Sequence, residues 1–263
     1  MDRRAADFDR VTLAGAWVHA VTMEQALNRI VADASDGLGG WVVTPNLDIL
    51  HKLVHDRSFV ELIEPATLRL ADGMPLVWAS RLKGTPLPER VAGSDLIGRL
   101  SERAAGAGLS VFLLGGDEGM ADAAAAELAR RFPTLKVTGT LCPPFGFERD
   151  EAYMTRLVET LIEAGPAIVF VGLGCPKQER LIRILRKDLP SAWFLGIGIS
   201  FSFLAGEVER APGWLQRLGL EWAHRLVQEP RRLARRYLVV GIPFAVRLLS
   251  GSVLARVAAR FRG

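Results

Sequence analysis

The stretch Pro166–Ile184, PAIVFVGLGCPKQERLIRI, sets the terms on which this chain can fold. Ala167–Val171 is a short, unbroken apolar run rich in β-branched side chains, the pattern of a strand buried on both faces. Gly172 and Gly174 then allow a tight turn, and Pro176 stands where a helix begins, its fixed φ matching the first helical position. Lys177, Gln178 and Glu179 open an amphipathic segment carried by Leu181, Ile182 and Leu185. A strand–glycine turn–helix unit of this kind belongs to a parallel α/β sheet, where ligands bind at the carboxyl ends of the strands. Free N–H groups at such a helix start favour anions such as phosphate. Shape alone fits equally well a packing turn that binds nothing; the polar trio after the glycines tips the reading towards a site.

The same alternation recurs along the chain. Strands are predicted within Val11–Ala20 around Gly15, then at Trp41–Val43, Thr67–Ala71, Ser110–Leu114, Leu135–Gly139 and Ala192–Gly196. Helices are predicted from Thr22 to Ala32, Pro75 to Leu82, Glu118 to Arg131 and Asp150 to Ala164. Strands alternating with helices imply a doubly wound, mostly parallel, Rossmann-like sheet with right-handed connections, and 263 residues suffice to bury its core. Two glycine turns invite a dinucleotide reading and both fail it. GGDEGM after Leu114 has no acidic residue ending the next strand for a ribose, and GLGCPK has a lysine in place of the third glycine. No GxxxxGK[ST] loop is present. The only Asp-x-Asp is Asp7/Asp9 near the start of the chain, so no carboxylate-bound metal is expected.

Three polar groups follow predicted strands. Thr44-Pro45-Asn46 comes directly after Trp41–Val43 and reads as a site or as the cap of the next helix. Asp72, followed by Gly73, is placed for a general base, or caps the helix starting at Pro75. Arg90 can grip a phosphate by a forked contact or pair with a neighbouring acid. His51 and His55 lie four apart on a helix, but no third ligand is near, so they read as a solvated helix face.

Charge is unevenly spread. Eight of the 33 basic residues fall in 231–263, where no acidic residue stands, so the preceding 230 residues carry a net −4 against +4 for the whole. Such asymmetry points to a polyanionic partner, nucleic acid or an anionic membrane. Apolar residues interleave with the arginines: Val239–Leu249 is interrupted by Pro243 and Arg247, and Ser252–Phe261 reads as a basic amphipathic helix of the interfacial kind. That pattern favours membrane over nucleic acid. No run reaches the roughly 18 apolar residues of a spanning helix, and Pro230 reads as a helix break. The charged opening MDRRAADFDR lacks a signal-peptide core, and two distant cysteines, Cys142 and Cys175, fit a reducing compartment.

Several ordered motifs together, TPNLDIL (44–50), ADGMPLVW (71–78), ERVAGSDL (89–96), VGLGCPKQE (171–179), GIGISFSFLAG (196–206), RAPGWLQRLGLEWAHRL (210–226) and EPRRLARRY (229–237), resemble the WecG/TagA/CpsF family, glycosyltransferase family 26. The resemblance runs from about Val11 to Tyr237. It implies an α/β catalytic core over 1–206 and a helical, Arg-rich, membrane-associating C-terminal appendage over 207–263. It implies an inverting transfer, needing no metal or other cofactor, from a UDP-sugar such as UDP-glucose or UDP-ManNAc. The acceptor it implies is a polyprenyl-diphosphate-linked saccharide at the cytoplasmic face of the bacterial inner membrane, in exopolysaccharide, capsule or wall polymer synthesis. No nucleic-acid partner is implied, and homo-oligomerisation is left open. By resemblance Asp72 matches the catalytic base and Thr44 the threonine near it. Arg90 and Gln178 match residues lining the pocket, and Arg225, Arg232 and Arg235 the basic residues of the appendage that close it. Asn46, Gly172, Gly174, Lys177 and Glu179 join them as candidate substrate contacts. The chain departs from the family pattern at Pro45-Asn46 and at Ile199. A non-catalytic sugar-nucleotide-binding protein and a nucleic-acid-binding protein with a basic tail are the competing readings.

Overall fold

The computed structural model describes residues 8–217 and 219–261, apart from the side chains of Arg217 and Arg232. A short antiparallel hairpin, β1 (Arg10–Leu13) and β2 (Ala16–His19), comes first. Its turn places Ala14 and Gly15 at φ 49 and 93, the left-handed pair that matches the twist of two-residue hairpins. Next are α1 (Met23–Ser35), β3 (Gly40–Val43), α2 (Leu47–His55), α3 (Arg57–Ile63), β4 (Leu68–Arg69), α4 (Met74–Lys83) and α5 (Gly93–Ala107). The regular part continues with β5 (Ser110–Gly115), α6 (Met120–Arg131), β6 (Lys136–Leu141), α7 (Glu151–Ala164), β7 (Ile168–Gly172), α8 (Lys177–Leu185) and β8 (Trp193–Gly196). Thr22 starts α1 with a capping box, its hydroxyl accepting from the Gln25 amide while the Gln25 side chain accepts from the Thr22 amide.

Six strands form one parallel sheet in the order β4-β3-β8-β7-β5-β6. Alternate residues of each strand serve opposite faces, as the two-residue period of a strand requires. Trp41, Val43, Phe112, Val169, Val171 and Phe194 pack on one side with Leu50, Leu161, Leu181 and Ile182 from α2, α7 and α8. Val42, Leu113, Ile168, Phe170, Trp193 and Leu195 pack on the other with Leu27, Ile30, Leu100 and Leu128 from α1, α5 and α6. Both faces are therefore covered, and the sheet is doubly wound as expected. Two local expectations need correcting. The predicted Thr67–Ala71 strand is shorter: Leu68–Arg69 pairs in register with β3, extended by the Thr67 and Leu70 amides donating to the Trp41 and Val43 carbonyls and by a bridge from Leu70 to His19. Pro176 is the cap residue, one position before the first residue of α8.

Strand β3 runs tightly beside β8. A Cβ on Gly40 would lie 2.5 Å from the Trp193 indole, whose ring is fully buried. Neither can move without opening the centre of the sheet. Gly40→Ala is expected to destabilise by about 1–3 kcal/mol through overpacking, read as a lower urea midpoint at unchanged m-value. An unaltered midpoint would show that the indole yields freely.

The chain ends in helices: α9 (Ser200–Leu204), α10 (Gly213–Arg217), α11 (Glu221–Gln228), α12 (Pro230–Ala234), a π-helical turn Arg235–Gly241, and α13 (Ile242–Arg260). The break at Pro230 is present, with Pro230 opening α12. The interruption expected at Pro243 is absent. Arg235–Arg260 is one helical rod of 26 residues containing an 18-residue stretch of mean hydropathy 1.9, long and apolar enough by length and composition to cross a membrane. The π-turn explains the continuity. Its i→i−5 bonding, as in Ile242 N–H to Tyr237 O, widens the turn just before Pro243, which has no N–H to lose. Ser252–Arg260 is helical as expected. Ser252 is buried and Arg256 reaches back to the Arg81 carbonyl on α4, while Leu254, Val257 and Phe261 face away from the protein. Phe244 and Leu248, also buried, pack with the core and hold the rod on the body.

Candidate active site

The carboxyl ends of all six strands open into one cavity of about 1100 Å³. Thr44 follows β3, Asp72 follows β4, Ile197 and Gly198 follow β8, Leu173 and Gly174 follow β7, Gly116 follows β5, and Cys142 follows β6; each lines it. The opposite wall comes from Trp222 and Arg225 of α11, Arg236 and Tyr237 of the π-turn, and the near face of α13. This is the edge at which an open α/β sheet presents ligands to backbone amides and loop side chains.

Thr44 is buried, and its hydroxyl donates to the Gly196 carbonyl at 3.4 Å. Asn46 caps α2, its side-chain oxygen accepting from Ile49 N–H at 3.0 Å, and lines the cavity as well. Asp72 does not cap α4. That helix begins after Gly73 with no side-chain cap, and the Asp72 carboxylate instead accepts one long bond, 3.4 Å, from Gly93 N–H. Burial pushes this carboxyl up to about 6; the Glu221 and Asp95 carboxylates push the same way, against the Arg90 guanidinium and the Gly93 N–H. A half-buried carboxylate with one weak hydrogen bond and a pKa near neutrality is what a proton acceptor requires.

Arg90 answers to the acid-pairing alternative. Its two terminal nitrogens donate to Glu221 at 2.8 Å and to Asp95 at 2.9 Å. Arg210 binds the same two carboxylates, at 2.6 Å to Asp95 and 3.5 Å to Glu221. Two arginines and two acids thus close a ring. It ties the loop between α9 and α10 and the first residue of α11 to α5 and the loop before it, beside Asp72. Arg210, Asp95 and Glu221 were not read from the sequence, since the partners stand up to 131 residues apart. Only their place within the motifs around 89–96 and 210–226 hinted at them.

The trio after the glycine turn divides. Gly174 adopts φ 72, and a Cβ on Gly172 would strike the Phe201 ring at 2.8 Å, so both glycines are needed for shape. Lys177 lines the cavity and pairs with Glu148 at 3.3 Å. Gln178 is buried at the cavity wall; its oxygen accepts from Gly198 N–H and its nitrogen donates to Glu179. Its own N–H is taken by the Gly174 carbonyl, so the helix start offers fewer free donors than expected. Glu179 turns out to be 1% exposed and outside the cavity wall, its carboxyl raised by burial. Cys175 also lines the cavity, but burial raises its thiol, which leaves it protonated and unsuited to attack.

Of the three arginines assigned to the appendage, Arg225 lines the cavity and stacks over Phe203. The Arg232 side chain lies outside the described residues. Arg235 is exposed and away from the cavity; its neighbour Arg236 lines it, donating to Asp48 at 2.9 Å. Arg225 and Arg235 do not share one helix: α11 ends at Gln228, and Arg235 opens the π-turn. His51 and His55 stack on each other at 4.3 Å with Phe244 edge-on to both, so α13 packs on the face expected to be solvated and leaves His55 exposed. Among the described residues, no group of three or more His, Cys, Asp or Glu side chains is gathered in a way that could hold a metal.

A sequence model of the "Glycosyl transferase WecG/TagA/CpsF family" matches residues 11–257. The chain is 32% identical over 198 residues to the N-acetylglucosaminyldiphosphoundecaprenol N-acetyl-β-D-mannosaminyltransferase of Bacillus subtilis (strain 168), covering 75% of each protein.

Proposed function

This chain belongs to the WecG/TagA/CpsF family of glycosyltransferases, and on that premise we propose that it moves a hexose from a UDP-sugar to a polyprenyl-diphosphate-linked N-acetylglucosamine, with inversion and without a metal. Asp72 removes the proton from the acceptor hydroxyl as that oxygen attacks the anomeric carbon. The bond to the nucleoside diphosphate breaks on the opposite side, so the configuration inverts in one displacement. Negative charge develops on the departing diphosphate and is met by cations in place before reaction. Arg225 and Arg236 line the cavity and supply that charge. Thr44 and Gln178 fix the β3 and β8 turns around the sugar. The observation that carries the reading is Asp72: a carboxylate at a strand end, raised to about 6, in the wall of the large cavity.

The experiment is a screen of radiolabelled UDP-glucose, UDP-ManNAc and related donors against a short-chain prenyl-diphosphate-GlcNAc, with and without EDTA. Label is expected in the acceptor with one donor, at a rate EDTA leaves unchanged. A strict requirement for Mg²⁺ or Mn²⁺ overturns the account of the leaving group.

We also propose that residues 207–263 attach the protein peripherally to the cytoplasmic membrane face. The support is the outer side of the terminal rod, where Leu238, Val239, Val246, Val253, Leu254 and Val257 are all exposed beside arginines. Buried apolar area and attraction to anionic lipid act together in such a segment, at about 1 kcal/mol per basic residue near the surface. Replacing Val253 and Leu254 by Glu is expected to release the protein from anionic vesicles in co-sedimentation. Undiminished pelleting would place the contact elsewhere.

A further inference from the structure

The active-site cavity has a wall that the transfer chemistry does not use. Met74 and Trp78, one turn apart on α4, line it together with Val240 and Ile242, Ala245 and Leu249 of the terminal rod. These six side chains offer no charge. The wall starts beside the chemistry, since Met74 follows Asp72 by two residues, and it reaches the surface, since Trp78 is 36% and Ile242 43% exposed. At about 1100 Å³ the cavity is also just above the range of roughly 300–1,000 Å³ typical of a pocket for one small ligand.

The terminal rod places this wall next to its outer apolar side. Phe244, Leu248 and Ser252 are buried against the body, and Ala245 and Leu249 turn into the cavity. Val246, next in sequence to Ala245, and Val253, next to Ser252, face outward. An apolar ligand can therefore pass from the outer side of the rod to the cavity interior along apolar side chains.

We propose that this wall is the binding groove for the first isoprene units of the acceptor, between α4 and the inner stripe of the terminal rod. The proposal rests on the glycosyl-transfer reading and adds to it where the lipid lies. The groove holds the chain next to the diphosphate, with the sugar hydroxyl directed towards Asp72 and the remaining isoprenes leaving past Trp78 and Ile242. Specificity for a prenyl carrier then belongs to the enzyme itself and does not depend on membrane attachment.

The test uses soluble GlcNAc-diphosphate acceptors carrying one or three isoprene units, without membrane or detergent. Wild-type kcat/KM is expected to rise by at least about tenfold per added unit, because each unit buries several apolar carbons. Ala245→Trp fills the groove, and the gain from lengthening the chain is expected to fall to less than about threefold. A diazirine-bearing prenyl acceptor provides a readout on the unaltered protein: label is expected on the Ala245–Leu249 side and on α4. Transfer to both acceptors with equal kcat/KM, or label confined to Val246, Val253 and Leu254, overturns the groove while leaving the enzyme reading intact. No transfer to either acceptor from any UDP-sugar sinks the functional reading itself.

Discussion

Asp72→Asn is expected to lower kcat by 10²–10⁴, the usual contribution of a positioned general base, while UDP affinity stays within a few-fold. In the wild type, kcat is expected to fall tenfold per pH unit below about 6, where Asp72 takes up a proton. The same group makes a prediction about stability with the opposite sign. Its pKa rises from the ordinary 3.8 to about 6 on folding, so its favourable contribution is complete below about 3.8 and is lost as pH rises through about 6. At pH 7.5 the buried charge costs up to about 3 kcal/mol. An asparagine there keeps an oxygen for Gly93 N–H and carries no charge. The variant is therefore expected to be nearly inactive and at least as heat-stable as the wild type. A variant that is inactive because it has unfolded would show that Asp72 is a structural residue.

The second large effect concerns the ring of Arg90, Asp95, Arg210 and Glu221. Arg90 favours the charged form of Asp72 and Glu221 opposes it. Removing either moves the acidic limb of the pH–rate profile, in opposite directions. Arg90→Ala is expected to shift the limb above 6, and Glu221→Gln to shift it below. Arg90→Ala also leaves two half-buried carboxylates sharing one arginine, at an expected cost of about 2–3 kcal/mol. Glu221→Gln keeps a hydrogen-bond acceptor for Arg90 and costs less. Limbs that move together, or not at all, would show that the ring only fastens the appendage.

Much of the α/β architecture was legible because each central strand is a short apolar run ended by glycine or a polar turn. Trp41–Val43, Ser110–Leu114 and Ala167–Val171 all have this form. Strand order was not legible. That β8 inserts between β3 and β7 depends on packing such as Gly40 against Trp193, which no local pattern records. Asp72 could be singled out from its place at a strand end, yet its freedom from capping depends on backbone geometry at Gly73. The ring joins side chains from distant segments, so residue spacing gives no sign of it. Arg235 entered by resemblance alone; that its neighbour Arg236 lines the cavity goes with the π-turn Arg235–Gly241, which no residue spacing announces. The tail misled in the same way. Pro243 reads as an interruption until the widened turn before it is known.

A single displacement with Asp72 as base fixes the anomeric configuration of the product, which NMR reads on the purified soluble acceptor. One product is expected, its new glycosidic bond inverted relative to the UDP-sugar. A product that retains the donor's configuration would require two displacements through a covalent intermediate and would contradict it.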